Sequence, residues 1–474
     1  MNIKNTIESP RSMVFAACLS TVLSLFILIS LINKNPIIGD GKENLTIATN
    51  LMIHGTFSSL GGASPQPDMK REPAWPVLTA SLLILTGLDH IEPEILATQN
   101  STFFKFINAT FLALLVGLVG VLAGYFSQRP LLAQGIAFII SITALTTLPR
   151  LVNYFNNDPL AMLLLTISSA LTFFASRGGR YSAIALGLSL GLLALTKAQF
   201  LYISFIPIFV ICIFCKKQAI YALLIFSLIV TPWVVRNTIT FGEPAISKRG
   251  ETVLAVRMVM VAEHRQSELS CMAFAFTHPE WRDKIGSLLK IGIEDFKEGG
   301  TCERFNREIG FDMGIEKVTA DAFPSDIAAT NAHDWTKAVQ YFFRGYIAGG
   351  EIEANQLKLA NIASLSFENV MRYIQTLPLF AWRGVSFSGF PFLGLFLSIS
   401  MFSLAFTRLW PFAILGISTH VFHTLLTHNI PRYHIIELGI MIVAATYFID
   451  KIFKLCIRVA TYKKQGSPDS IFGP

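Results

Sequence analysis

Two runs decide how this chain is read: GDGKENLTIATNLMIH at residues 39–54, and KREPAWP at residues 70–76, which leads back into apolar sequence. From Glu43 to His54, Leu45, Ala48, Leu51 and Met52 recur at helical spacing, so a short amphipathic helix is expected there. Asp40 thus sits just beyond the first apolar segment, and an Arg-Glu-Pro cluster at Arg71 to Pro73 closes the loop. The expectation is a polar site laid against a membrane face, flanked by Asp40 and Arg71, with the rest of the chain as its scaffold.

Composition supports the membrane half of that reading. Hydrophobic residues are 52% of the 474 and charged residues only 15%, where a soluble domain carries about 25% charged residues. Repeated apolar runs of about 15 to 22 residues indicate an all-α polytopic membrane protein with about ten transmembrane helices. The segments fall at 12–32, 103–125, 130–148, 159–176, 181–196, 198–215, 218–235, 386–406, 409–427 and 435–450. The first has no convincing small-residue cleavage site and reads as an uncleaved anchor. Trp75 to Leu88 is too short to cross comfortably and reads as a re-entrant or interfacial helix in the first loop, 33–102.

The expected domains are then a transmembrane module over 1–235 and a helical extramembrane domain over 236–378. C-terminal transmembrane helices over 379–450 and a disordered cytoplasmic tail over 451–474 complete the chain. Lys4, Arg11, Arg129, Arg177, Arg180, Lys216, Lys217, Arg408, Lys451, Lys454 and Arg458 fall on one side of this threading, which the positive-inside rule makes cytoplasmic. The same placement explains the net charge of +7 without nucleic acid as a partner. Cys271 and Cys302 lie in the long polar region and have the opportunity to pair if it is exported.

That orientation leaves Arg71, Arg150, Lys197, Arg236 and Arg432 on the exoplasmic side, close to apolar spans, where cations are disfavoured. Snorkelling to lipid headgroups accounts for any one of them; a bound phosphate accounts for them together, because Arg offers paired donors and Lys a point charge. Asp40 is the candidate base, able to deprotonate a hydroxyl, though helix capping or a Gly-Asp-Gly turn also explains it. Asp158, in NNDP at 156–159, has a ready role as a helix cap before Pro159 and faces the same side. The two acids admit a shared divalent cation. Glu72 and Tyr433 are candidates for positioning substrate. His420, His423, His428 and His434 lie close in sequence, but no acid or Cys partner is recognised beside them, so no metal site is assigned.

In order, Gly-Asp at 39–40, Arg-Glu-Pro-x-x-Pro at 71–76 and Asn-Asp-Pro-Leu at 157–160 resemble the GT-C superfamily of integral-membrane glycosyltransferases. So do Thr-Pro-Trp-x-x-Arg-Asn at 231–237 and Pro-Arg-Tyr at 431–433. The pattern is most similar to bacterial relatives of protein O-mannosyltransferases and of the lipid A aminoarabinose transferase. It covers roughly residues 13 to 450.

The resemblance implies a sugar moved, with inversion, from a polyprenyl-phosphate donor to a lipid, glycan or protein acceptor on the periplasmic face of a bacterial inner membrane. It implies Asp40 as catalytic carboxylate, Asp158 as its support, and Arg71, Lys197, Arg236 and Arg432 as ligands of the lipid phosphate. No cofactor is assigned, and a divalent cation stays open. The chain departs from the pattern in having Arg-Glu-Pro-Ala-Trp-Pro where many relatives have Lys-Pro-Pro, and in having fewer spans than the larger members. A polysaccharide polymerase or ligase with a diphosphate-linked donor, or a lipid flippase, stays open as an alternative. Flippases and transporters tend to show paired halves and broken helices, whereas one asymmetric polar region divides the spans here.

The orientation has a direct check. A cysteine placed at Lys284 should react with an impermeant thiol reagent in intact cells; reaction only after lysis would reverse the sidedness.

Overall fold

The computed structural model describes residues 10–247, 257, 268–297, 300–302, 305, 370–386, 391–427 and 431–464. Every regular element among them is a helix. The first is α1 (Pro10–Ser30), followed in the loop region by α2 (Asp40–His54), α3 (Ala74–Thr86) and α4 (Pro93–Thr98). A continuous run follows: α5 (Ser101–Phe126), α6 (Pro130–Thr146), α7 (Arg150–Asn153), α8 (Asp158–Ala175) and α9 (Arg180–Thr196). Then come α10 (Phe200–Ile203), α11 (Phe205–Phe214) and α12 (Lys216–Phe241). Among the described residues, four helices, α1, α5, α8 and α12, are long and apolar enough to cross a membrane, and several shorter apolar helices accompany them.

Each apolar segment read from the sequence coincides with helix. The 198–215 segment is divided between α10 and α11, and the 386–406 segment ends in a 3-10 turn at Leu404–Phe406. The expected boundary at residue 236 falls inside a helix, because α12 carries Pro232 internally and runs on to Phe241. It stops at Gly242, whose φ of 74° is the left-handed geometry that ends helices without a side-chain clash.

Packing follows small residues. Among the closest helix pairs are α12 on α9, α1 on α5 and α8 on α9. On α9, Gly187 and Gly191 are spaced as a small-xxx-small motif, which lets helix backbones approach in lipid. A Cβ at Gly187 would lie 2.4 Å from the Ala222 carbonyl oxygen, and one at Gly191 would lie 2.7 Å from Ile229. A contiguous apolar core runs through α5, α6, α8, α9 and the helices at 391–403, 410–426 and 438–464. A second core belongs to the first loop: Ile37, Leu45, Ala48, Trp75, Leu83, Leu96, Phe104 and Phe155 pack together. The loop is therefore a small folded unit, and its two amphipathic or apolar pieces are the helices α2 and α3.

Of the 236–378 region, the helices Glu268–Ala275 and Pro279–Leu289 and the start of Val370–Val385 are described. Cys271 and Cys302 form a disulfide there, beside Phe274, Phe296 and Phe380. The tail expected to be disordered from 451 is helical as far as Lys464, because the helix Leu438–Lys464 runs on past the apolar segment; residues 465–474, His428 and the amphipathic patch at 328–346 lie outside the described residues.

Overpacking the α9–α12 contact tests this arrangement. Gly187→Leu should lower stability by about 1–3 kcal/mol, while Gly135→Leu, on an open helix face, should be close to neutral. Unfolding midpoints in detergent compare the two.

Candidate functional site

The site is built where the first loop meets the α7–α8 turn. Gly39 has φ 56°, a left-handed conformation that suits glycine, and it starts α2 so that Asp40 becomes the first helical residue. Helix capping was one structural reading of Asp40 from the sequence; the structure starts α2 at Asp40 itself, with Gly39 at the cap position and the acid favourably placed at the positive end. Gly41 fixes the docking. A Cβ on it would lie 2.6 Å from the Phe155 carbonyl oxygen and 2.6 Å from Ile37, so only glycine lets α2 sit this close to the turn that ends at Asp158.

That turn is tied down by its asparagines. Asn156 Oδ1 accepts from the Asp158 amide at 3.1 Å, an Asx-type turn. Asn157 Nδ2 donates to the Thr196 carbonyl at 2.5 Å, joining the start of α8 to the end of α9 and so to Lys197. Asn157 occupies the N-cap position of α8 without a side-chain cap bond, and Asp158 and Pro159 are the first helical residues, one place later than the cap role read from the sequence. From below, Asn108 on α5 donates to the Tyr154 carbonyl at 2.6 Å. Lys105, fully buried on the same helix, donates to the Asn33 carbonyl and side chain and to the Asn35 carbonyl at 2.5–3.0 Å.

Four of the residues singled out in the sequence converge with Asp40 on this spot. Arg432 spans both acids: Nε donates to Asp158 Oδ2 at 2.5 Å, and Nη1 donates to Asp40 Oδ2 at 3.2 Å. Arg71 Nη2 donates to Asp40 Oδ1 at 2.6 Å. Lys197 Nζ lies 2.7 Å from Asp158 Oδ1, an ion pair without an aligned hydrogen bond. The Asp158 side chain is 1% exposed and that of Asp40 27%, so one acid is enclosed and the other faces outward. A carboxylate as buried as Asp158 needs paired charge, and Arg432 and Lys197 supply it. Asp40, by contrast, can be reached.

Glu43, one turn along α2, was missed by the sequence reading. It accepts from Arg71 Nε at 2.6 Å and from Arg71 Nη2, and from Lys70 at 3.2 Å. Burial raises the proton affinity of Glu43, but Arg71 and then Lys70 outweigh it and hold the carboxylate below its ordinary range. For Arg71, burial opposes the charge, and Asp40 with Glu43 more than restores it. Neither Arg71 Nη1 nor Arg432 Nη2 makes a hydrogen bond to the described residues.

The other candidates sit apart from this pair of acids. Arg236 Nη1 donates to the Asp68 carbonyl at 3.0 Å, and its guanidinium lies over Trp233, Phe57 and Phe241. Glu72 is buried and accepts from Ser247 Oγ at 3.4 Å. Tyr433 stacks on the His423 ring at 5.0 Å. Arg150 lies over Tyr154 at 5.5 Å. The histidines do have an acid partner, which the sequence reading overlooked: Glu437 follows His434 by one helical turn and accepts from His420 Nδ1 at 2.8 Å.

No match to this chain is found among protein-family models, curated proteins or solved structures.

The enclosed half of the network predicts its own sensitivity. Asp158→Ala leaves Lys197 and Arg432 facing each other without their acid, and breaking a buried pair typically destabilises by about 3–5 kcal/mol. Arg150→Ala should stay within about 0.5 kcal/mol. A near-neutral Asp158→Ala in detergent unfolding would contradict the ion network.

Proposed function

We propose that the protein is a membrane glycosyltransferase that moves a sugar from a polyprenyl-phosphate donor to a hydroxyl acceptor at the exoplasmic face. The observation that carries the reading is the convergence of Asp40, Arg71, Asp158, Lys197 and Arg432, drawn from four separate stretches of chain, beside apolar helices. A site that joins a reachable carboxylate to two arginines with spare N–H groups suits a reaction needing one base and a neutralised phosphate leaving group.

In this account Asp40 accepts the proton of the acceptor hydroxyl. The acceptor oxygen forms its bond to the anomeric carbon as the bond from that carbon to the phosphate oxygen breaks. The lipid phosphate leaves with one more negative charge, which Arg71 and Arg432 offset through Nη1 and Nη2. A phosphate entering beside these arginines also competes with Asp40 for them, which loosens the acid for base duty. Asp158 and Lys197 hold Arg432 in place and need not touch substrate. Arg236 lies against the Asp68 loop, apart from the two acids, and takes no part in this step.

About ten spans, termini on the cytoplasmic side and a bacterial inner membrane complete the proposal. It is supported by apolar helices at each expected segment and by the one-sided loop charges.

Asp40→Asn keeps the size of the side chain and removes the base. Turnover of labelled polyprenyl-phosphate sugars by purified protein should fall by about 10²–10⁴ while donor lipid still binds, because a base acts mainly in the transition state. A variant retaining more than about a tenth of the wild-type rate would return Asp40 to a purely structural role. Monophosphate and diphosphate lipids tested side by side separate this reading from a polymerase or ligase.

A further inference from the structure

Behind Arg432 lies a cluster that the reaction does not use. His420 on the Trp410–Leu426 helix, His434 on the Pro431–Ile435 helix, and Glu437 just before Leu438–Lys464 come together, with side chains 7%, 0% and 0% exposed. His420 Nδ1 is 2.8 Å from Glu437 Oε2, and His434 Nδ1 is 3.4 Å from Glu437 Oε1. The two imidazole rings are 3.9 Å apart, centroid to centroid. One potential ligand atom from each residue lies within 4.8 Å of the others.

The charge balance of this cluster is incomplete. Glu437 is fully enclosed, and among the described residues no lysine or arginine lies within ion-pair distance of it. Its Oε1 has no hydrogen-bond partner. A buried carboxylate without a counter-charge is costly unless it is paired or bound to a metal. Protonating one histidine would balance it, but that sets an imidazolium against the second ring, 3.9 Å away, in an apolar core where a charge is poorly solvated. One divalent ion meets the same need while both imidazoles stay neutral.

We propose that His420, His434 and Glu437 bind one divalent transition-metal ion of the zinc class, and that this ion fixes the Pro431–Ile435 segment that carries Arg432. Two imidazoles and one carboxylate are a donor set that suits zinc, with a fourth position left to water. Calcium and magnesium prefer oxygen donors and are disfavoured here. Nitrogen and oxygen ligands about 2.0–2.2 Å from zinc stand about 3.3 Å from one another in a tetrahedron. To the same oxygen, Glu437 Oε2, His420 Nδ1 stands at 2.8 Å and His434 Nδ1 at 3.5 Å, which bracket that value, and all three ligand atoms lie within 4.8 Å of one another. The ion would join the Trp410–Leu426 helix to the segment that bears Arg432, two residues from His434. It would act as a structural clamp and not as part of the transfer chemistry, so the site does not depend on the glycosyltransferase reading.

The test is metal content. Purified full-length protein is stripped with a chelator, dialysed against zinc or cobalt(II), and assayed by elemental analysis and visible absorption. Wild type should hold one ion per chain and, with cobalt, show the intense absorption of a tetrahedral site. His434→Ala and Glu437→Gln should each weaken binding by at least about tenfold. If His434→Ala does not fold, His434→Cys keeps a zinc ligand. It should retain the ion and add a sulfur-to-cobalt charge-transfer band that wild type lacks. A wild-type protein holding less than about a tenth of an ion per chain, or variants that bind as wild type does, would overturn the proposal and leave a hydrogen-bonded His-Glu-His cluster.

Discussion

One guanidinium holds the site together. Arg432 donates to Asp40, 392 residues away in sequence, and to Asp158, 274 residues away. Burial makes this contact consequential. Asp158 is enclosed, and an unpaired charge there would cost several kcal/mol, so the segment carrying Arg432 and the turn carrying Asp158 are forced to meet. Lys197 completes the neutralisation from the end of α9. Asp40 is then drawn to the same place by Arg432 on one side and Arg71 on the other. Two acids from different loops are thereby set apart by environment, one enclosed as an anchor and one open to solvent.

The scaffold around this contact works mainly through side chains that grip backbone. Lys105, Asn108, Asn153 and Asn157 all bond carbonyls of the loops above them, and Asn153 joins the end of α1 through the Leu31 carbonyl at 2.9 Å. The donor atoms of these side chains are satisfied locally, as burial requires. Gly41 adds the steric side of the same logic, because it admits Phe155 where any larger residue would hold α2 away.

The helices were legible in the sequence because apolar runs of sufficient length have few other solutions in lipid. The start of α6 at Pro130 was legible too, whereas α12 runs on to Phe241, past the end expected at 235. Site residues were found where a charge stood against its surroundings, as Arg71 and Lys197 do. What stayed hidden was pairing. Nothing in the identity of Asp40 names Arg432 as its partner, and Glu43 looked like one more polar residue on an amphipathic helix. Two signals were present and passed over. Lys105 stands inside an apolar run, where a cation seldom lacks a purpose, and Glu437 follows His434 at the spacing of adjacent positions on one helix face.

The proposed transfer requires that Arg71 and Arg432 receive a lipid phosphate. The most direct measurement is equilibrium binding of a polyprenyl monophosphate to purified protein, comparing wild type with Arg71→Ala and Arg432→Ala under conditions where all three are folded. Loss of a charge-assisted contact removes about 1.5–3 kcal/mol, so each variant should bind roughly tenfold to a hundredfold more weakly. Unchanged affinity in both variants would contradict the phosphate site and leave the arginines as partners of Asp40 and Asp158 alone.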